Sequence, residues 1–149
     1  MRVVVQRSKN SNVVIDNKVY NSIDKGLVVL SCFTENDTVE DIDYIVKKII
    51  NLRIFDDENG VMNKSVLDIN GEILSISQFT LYAITKNGNR PSYIRALNPN
   101  EATKLYDLFN QKLNEHITCK TGIFGSDMTL NITNDGPITI IIDSKNKEL

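Results

Sequence analysis

A chain of 149 residues, 41% hydrophobic and 24% charged, has the makeup of one ordinary globular domain spanning residues 1–149. A domain of this size buries roughly 70% of its unfolded surface, so it needs neither a disulfide framework nor a structural metal to close a core. A net charge of −2 argues against a protein that grips nucleic acid through many phosphates, and leaves only local cation clusters for such contacts.

The opening segment MRVVVQR is short and charged early, unlike a secretory signal, and no run of about 18 apolar residues occurs. Both features predict a cytosolic address with no membrane contact. Residues 2–7 and 12–20 read as two strands joined by a short polar turn, with Asp16, Asn17 and Lys18 as a second turn. Residues 26–33 form a nearly continuous apolar run, the pattern of a strand covered on both faces. Cys32 lies inside that run, far from Cys119, so a buried inert thiol is expected.

Thr38 followed by Asp41 has the spacing of a helix start, and Ile42, Ile45, Val46, Ile49 and Ile50 continue it as one apolar stripe. Residues 51–55 return to an extended reading before the turn at residues 56–60. Residues 73–81 are a further strand candidate. A second helix opens at Asn98-Pro99, where proline at the first helical position costs no hydrogen bond. Ala102, Leu105, Tyr106, Phe109 and Leu113 supply its buried face. His116, the only histidine, falls near its end and is expected on the solvated surface. Residues 128–143 read as two strands interrupted at residues 134–137. The whole predicts an α/β domain: a mixed, mostly antiparallel and barrel-like sheet carrying two main helices.

Two segments sit awkwardly in this pattern. In Ser77-Gln78-Phe79-Thr80-Leu81, polar residues replace apolar ones on both strand faces. The segment is either a strand leaving the core or a strand end opening into a pocket, where unpaired N–H groups could hold an oxyanion. In Asn134-Asp135-Gly136-Pro137 every residue is a turn former, yet Pro137 removes a donor where the next strand should begin pairing. A single histidine and two separated cysteines exclude both a Ser-His-Asp triad and a histidine-rich metal site. Any chemistry must then rest on backbone donors, hydroxyls or the substrate itself.

Taken together, the segments MRVVVQR, RIFDDENGVMNKSV, SQFTLYA, GNRPSY, TKLYDLF, TGIFGSDM and TNDGPITI resemble the D-aminoacyl-tRNA deacylase family in order and spacing, over nearly the whole chain. The resemblance implies hydrolysis of the ester bond of D-aminoacyl-tRNA, and of mischarged glycyl-tRNA, without a cofactor. It implies that Ser77, Gln78, Phe79 and Thr80 line the catalytic pocket. Gly136-Pro137 would be a cis dipeptide projecting into the active site of the other subunit of a homodimer, with Arg7 holding it in place. Phe124 and Met128 would lie near the terminal adenosine of tRNA. Ser126 stands where many members carry alanine.

Such a dipeptide could select handedness through main-chain oxygens that leave room at Cα for hydrogen and none for an L side chain. An aminoacyl ester is already activated, and the vicinal 2′-hydroxyl of the terminal ribose can assist. Backbone N–H groups around Phe79 and Thr80 are therefore expected to stabilise the oxyanion. Thr80 as a covalent nucleophile is the competing reading, although no base is apparent to activate it. Lys86, Arg90 and Arg95 are candidates for tRNA contact. The rivals from other classes are a tRNA- or nucleic-acid-binding dimer without hydrolase activity and a generic esterase using Ser77 or Thr80.

Overall fold

The computed structural model describes residues 1–149. Strands β1 (Arg2–Ile15) and β2 (Lys18–Cys32) form one long antiparallel hairpin. Its turn is Asp16-Asn17, with φ of 50° and 61°, the consecutive left-handed pair that a tight hairpin needs. The break expected between residues 7 and 12 does not occur. Pairing continues through Lys9 and resumes at Ser11, with only Asn10 turned to a positive φ of 48°. The serines that made this stretch look like a turn are buried and satisfied: Ser8 and Ser11 share a hydroxyl hydrogen bond, and Ser11 Oγ accepts from the Thr133 amide at 3.0 Å. Residues 26–33 are accordingly the second half of a strand already under way.

Helix α1 (Val39–Asn51) begins at the expected cap, where the Thr38 amide donates to the Asp41 carboxylate at 2.9 Å. A small hairpin follows, β3 (Phe55–Asp56) with β4 (Met62–Lys64). Strand β5 (Glu72–Ser77) runs parallel to β2 and stops four residues earlier than the apolar pattern predicts. The chain then makes a 3₁₀ turn, Phe79–Tyr82. Helix α2 (Pro99–Asn114) starts at Asn98, whose side chain accepts from the Glu101 amide at 3.1 Å. Three strands complete the sheet: β6 (Cys119–Thr121), parallel to β5, and β7 (Thr129–Asn131) and β8 (Asn134–Asp143), both antiparallel to β1.

The strand order is β6-β5-β2-β1, with β7 and β8 both pairing with β1. The α/β class with a mixed, mainly antiparallel sheet and two main helices is as expected. Both faces of the central strands are covered. Val3, Val5, Leu27, Val29 and Ile73 pack with Ile45, Ile49, Phe109 and Leu113 of the helices. On the opposite face, Val13, Ile23, Val28, Leu74 and Ile76 pack with Met128 and Leu130. Alternate residues of β2 thus feed two separate apolar clusters, which is why its sequence reads as unbroken hydrophobicity. Cys32 is buried and His116 exposed, as expected.

Candidate active site

Strand β5 ends where Gln78 turns its backbone away, its amide still bonded to the Ser31 carbonyl at 2.7 Å. Beyond it lies a cavity of about 580 Å³, open to solvent, lined by Cys32, Ser77, Gln78, Phe79, Phe124 and Met128 among others. The volume falls in the range of sites that engulf a nucleoside-sized ligand. Phe79 is exposed and meets Tyr93 edge-on at 5.0 Å, which makes an aromatic lip at the mouth. On the far wall Phe124 packs on Tyr106, whose hydroxyl donates to the Ser75 carbonyl at 2.8 Å. Met128 rests against Gly122, where a β-carbon would stand 2.5 Å from its sulfur. A side chain there would have to displace the flexible end of Met128.

Five of the sequence candidates, Ser77, Gln78, Phe79, Phe124 and Met128, therefore share one cavity. Thr80 does not line it. Its hydroxyl accepts a hydrogen bond from the Gln78 side-chain amide at 2.6 Å, and no histidine, lysine or carboxylate is bonded to it. The expected strand through residue 81, with polar residues on both faces, is replaced by a strand end at Ser77 followed by a turn. That turn has its first internal bond between the Leu81 amide and the Gln78 carbonyl, at 3.2 Å. The amides of Phe79 and Thr80 precede this bond and donate to no loop or side-chain acceptor.

The peptide bond Gly136-Pro137 is cis, and Gly136 has φ of 132°, a conformation that L side chains rarely adopt. A β-carbon at Gly136 would lie 2.8 Å from Ile138 Cγ1 and 3.3 Å from Arg7 Nη2. Arg7 grips the segment: Nε donates to the Asp135 carbonyl and Nη1 to the Ile54 carbonyl, each at 2.9 Å. Ion pairs with Asp56 at 3.4 Å and Asp135 at 3.6 Å reinforce the hold. Yet Gly136 and Pro137 are exposed and stand outside the cavity of their own protomer. Arg7 is separated by about 17 Å of strand from Arg2, which touches the far end of the 3₁₀ turn.

Lys86, Arg90 and Arg95 are exposed, none is paired with a carboxylate, and none lines the cavity. Their loop is pinned at its neck by the reciprocal Ile84–Ser92 backbone pair, at 2.8 and 3.0 Å, and by the Leu97 amide on the Phe33 carbonyl. Sequence reasoning missed Tyr93 and Gly122, and passed over Cys32 and Arg2. Only Gly122, directly after Thr121 in the TGIFGSDM segment, carried a legible signal, because a glycine beside apolar residues marks close approach.

The family described as D-Tyr-tRNA(Tyr) deacylase matches residues 4–143 of this chain. The chain is 55% identical to the D-aminoacyl-tRNA deacylase of Flavobacterium psychrophilum, covering 99% of this chain and all of the relative. The same identity and coverage hold for the D-aminoacyl-tRNA deacylase of Bacteroides fragilis. Among solved structures it is similar to a c-Myc DNA unwinding element binding protein, with a TM-score of 0.91 and 37% identity over 96% of this chain and 98% of the other. It also shares the fold of a probable eukaryotic D-amino acid tRNA deacylase, at a TM-score of 0.81 and 18% identity, over 95% and 97% of the two chains.

Proposed function

Because the chain belongs to the D-Tyr-tRNA(Tyr) deacylase family and hydrolyses the ester of D-aminoacyl-tRNA, we propose that the cavity beside the 3₁₀ turn is where that ester is cleaved. The observation that carries this reading is the pair of amides at Phe79 and Thr80, which donate to no loop or side-chain acceptor and follow directly on a strand end whose Ser77 and Gln78 line a nucleoside-sized cavity. Two donors of this kind stabilise the oxyanion formed when water adds to the ester carbonyl; loss of one such donor typically costs 10²–10³-fold in turnover. Phe124 and Met128 form the wall against the terminal adenosine. The ribose 2′-hydroxyl next to the ester supplies the proton transfers that the protein, lacking a base at Thr80, does not.

Handedness is read by the main chain at Gly136-Pro137, brought by a second copy of the chain, so that the working enzyme is a homodimer with active sites at the subunit interface. What supports this is the grip of Arg7 on a segment that serves no cavity in its own protomer. A backbone filter that excludes an L side chain leaves the D side chain unread, so many D-aminoacyl-tRNAs and glycyl-tRNA are substrates. Lys86, Arg90 and Arg95 contact tRNA phosphates, and the working compartment is the cytosol.

The second reading is a nucleic-acid-binding dimer without hydrolysis, of which the name of the 37% identical solved structure supports only the DNA-binding part. Turnover of D-Tyr-tRNA, L-Tyr-tRNA and Gly-tRNA separates the two. The deacylase clears the first and third and spares the second, whereas a binding module clears none. Clearance of all three at similar rates would defeat the backbone filter.

A further inference from the structure

We propose that Arg2 and Cys32 are positioning residues that fix the direction of the two catalytic amides by holding the opposite ends of the turn that carries them. The proposal rests on the reading that the Phe79 and Thr80 amides do the chemistry. Arg2 and Cys32 are direct cross-strand neighbours in the β1–β2 pairing, so their side chains leave the sheet side by side under the 3₁₀ turn. Cys32 Sγ lies 3.3 Å from the Phe79 carbonyl oxygen, and Arg2 Nη1 donates to the Leu81 carbonyl at 3.0 Å.

Peptide planarity converts these contacts into aim. The Phe79 carbonyl and the Thr80 amide belong to one rigid plane and point in opposite directions. Holding the oxygen down with Cys32 therefore points the Thr80 N–H away from the sheet. The Phe79 amide shares its plane with the Gln78 carbonyl, which accepts from the Leu81 amide. Leu81 is the residue whose own carbonyl Arg2 holds. Each catalytic amide thus has an anchor behind it, one through one contact and the other through two.

Arg2 is itself fixed on two further sides. Nε donates to the buried Asp143 carboxylate at 2.8 Å, and Asp143 is paired with Arg2 in the neighbouring strand. The guanidinium also lies over the Tyr82 ring, 4.7 Å from its centroid. Such a planar fork can serve carboxylate, carbonyl and ring at once, which a lysine ammonium cannot. At Cys32, burial pushes the thiol up to about 12, so it keeps its one proton, for which the Phe79 carbonyl at 3.3 Å is a nearer acceptor than the Phe33 carbonyl at 3.5 Å. A turn of four residues has little stability of its own, and without these anchors its peptide planes can rock.

The test is steady-state turnover of D-Tyr-tRNA by full-length Arg2→Met, Arg2→Lys, Cys32→Ala and Cys32→Ser, each with its melting temperature. Ile49→Val, a core change remote from the cavity, serves as a stability control. We expect kcat to fall about 10- to 100-fold in Arg2→Met and Cys32→Ala, the scale of a small misplacement of reacting groups. KM should stay within about twofold, because the adenosine wall is untouched. Cys32→Ser, which keeps a donor, should recover most of the loss, and Arg2→Lys only part of it.

Unchanged kcat in Arg2→Met and Cys32→Ala overturns the proposal. So does a loss that merely follows melting temperature as Ile49→Val does, or one that falls on KM alone. A separate arm replaces residue 80 by its α-hydroxy acid, which deletes the N–H while keeping every side chain, and also weakens the Phe79 carbonyl as an acceptor. If that ester variant is slow while the anchor variants are normal, the anchors fail and the amide reading survives. If it turns over normally while the anchor variants are slow, the amide reading fails, and the positioning role of Arg2 and Cys32 fails with it.

Discussion

The hydroxyl of Thr80 illustrates how a side chain that looks reactive in a sequence can be silenced by its neighbour. Engaged by the Gln78 amide, and with no histidine, lysine or carboxylate bonded to it, it lacks the side-chain base that activation as a nucleophile calls for. Thr80→Ala is therefore expected to keep kcat for D-Tyr-tRNA within about threefold of the parent, since the residue keeps its backbone amide. A loss of several orders of magnitude, or a trapped acyl-enzyme, would revive covalent catalysis. Gly136 is the opposite case, a residue whose backbone conformation and close neighbours both favour the lack of a side chain. A methyl group there meets Ile138 at 2.8 Å in a backbone conformation already unfavourable for alanine, so the segment has to shift. On the proposed filter, Gly136→Ala should raise L-Tyr-tRNA cleavage relative to D-Tyr-tRNA, or abolish both. Retention of full D-selectivity would place the filter elsewhere.

At the scale of elements, the proposed roles of the 3₁₀ turn and of the cationic loop after it divide chemistry from capture. Lys86 and Arg90 carry no carboxylate partners and stand on a loop pinned at its neck, a geometry suited to phosphate contact. The double change Lys86→Gln and Arg90→Gln should weaken tRNA binding and reduce the slope of log Kd against log salt by about two. An unaltered slope would remove these two from the interface. Sequence pattern captured the elements that obey a simple period. The helix stripe from Ile42 to Ile50 and the Asn98-Pro99 start emerged where expected, and the apolar run from residue 26 lies in a strand that begins earlier, at Lys18, and ends at Cys32. It failed where polar residues are buried and paired, as at Ser8 and Ser11, because composition cannot tell a satisfied inward serine from a turn serine. The end of β5 was missed for a related reason. Phe79 and Leu81 continue the alternation of Ile73 and Ser77, while the backbone departs at Gln78 to bond Ser31, a long-range choice. The site segments themselves were legible mainly through family resemblance. Their mutual placement depends on the parallel pairing of β5 with β2, which no local signal announces.

For the molecule as a whole, both pH flanks follow from buried titratable groups. Burial raises the Cys32 and Cys119 thiols from 9.0 to about 12, raises Tyr106 from 10.0 to about 12, and raises Tyr82 as well. The unfolded chain gives up these protons near pH 9–10 while the folded one keeps them. Their contribution is therefore complete below about pH 9 and is lost as pH climbs towards 12. Urea midpoints should be flat from pH 7 to 9 and fall by pH 11, and Cys119→Val should shrink that fall. A midpoint that holds steady to pH 11 would contradict the burial of these groups. At the acid end, burial alone would raise Asp41, but bonds from Lys145, Ser144 and Thr38 outweigh it and hold the carboxyl below its ordinary range. That contribution is present above about pH 4 and is lost as acid protonates the group.

The exposed Gly136-Pro137 segment, remote from the cavity of the chain that bears it, has a consequence for mass action. On the proposed dimer a lone polypeptide owns half of two incomplete machines, so catalysis inherits the law of a second-order encounter. Specific activity should then decay on dilution below the dimer dissociation constant and recover on concentration. Equimolar mixing of two dead variants, one damaged at the dipeptide and the other at the adenosine wall, should regenerate one sound centre in each hybrid pair.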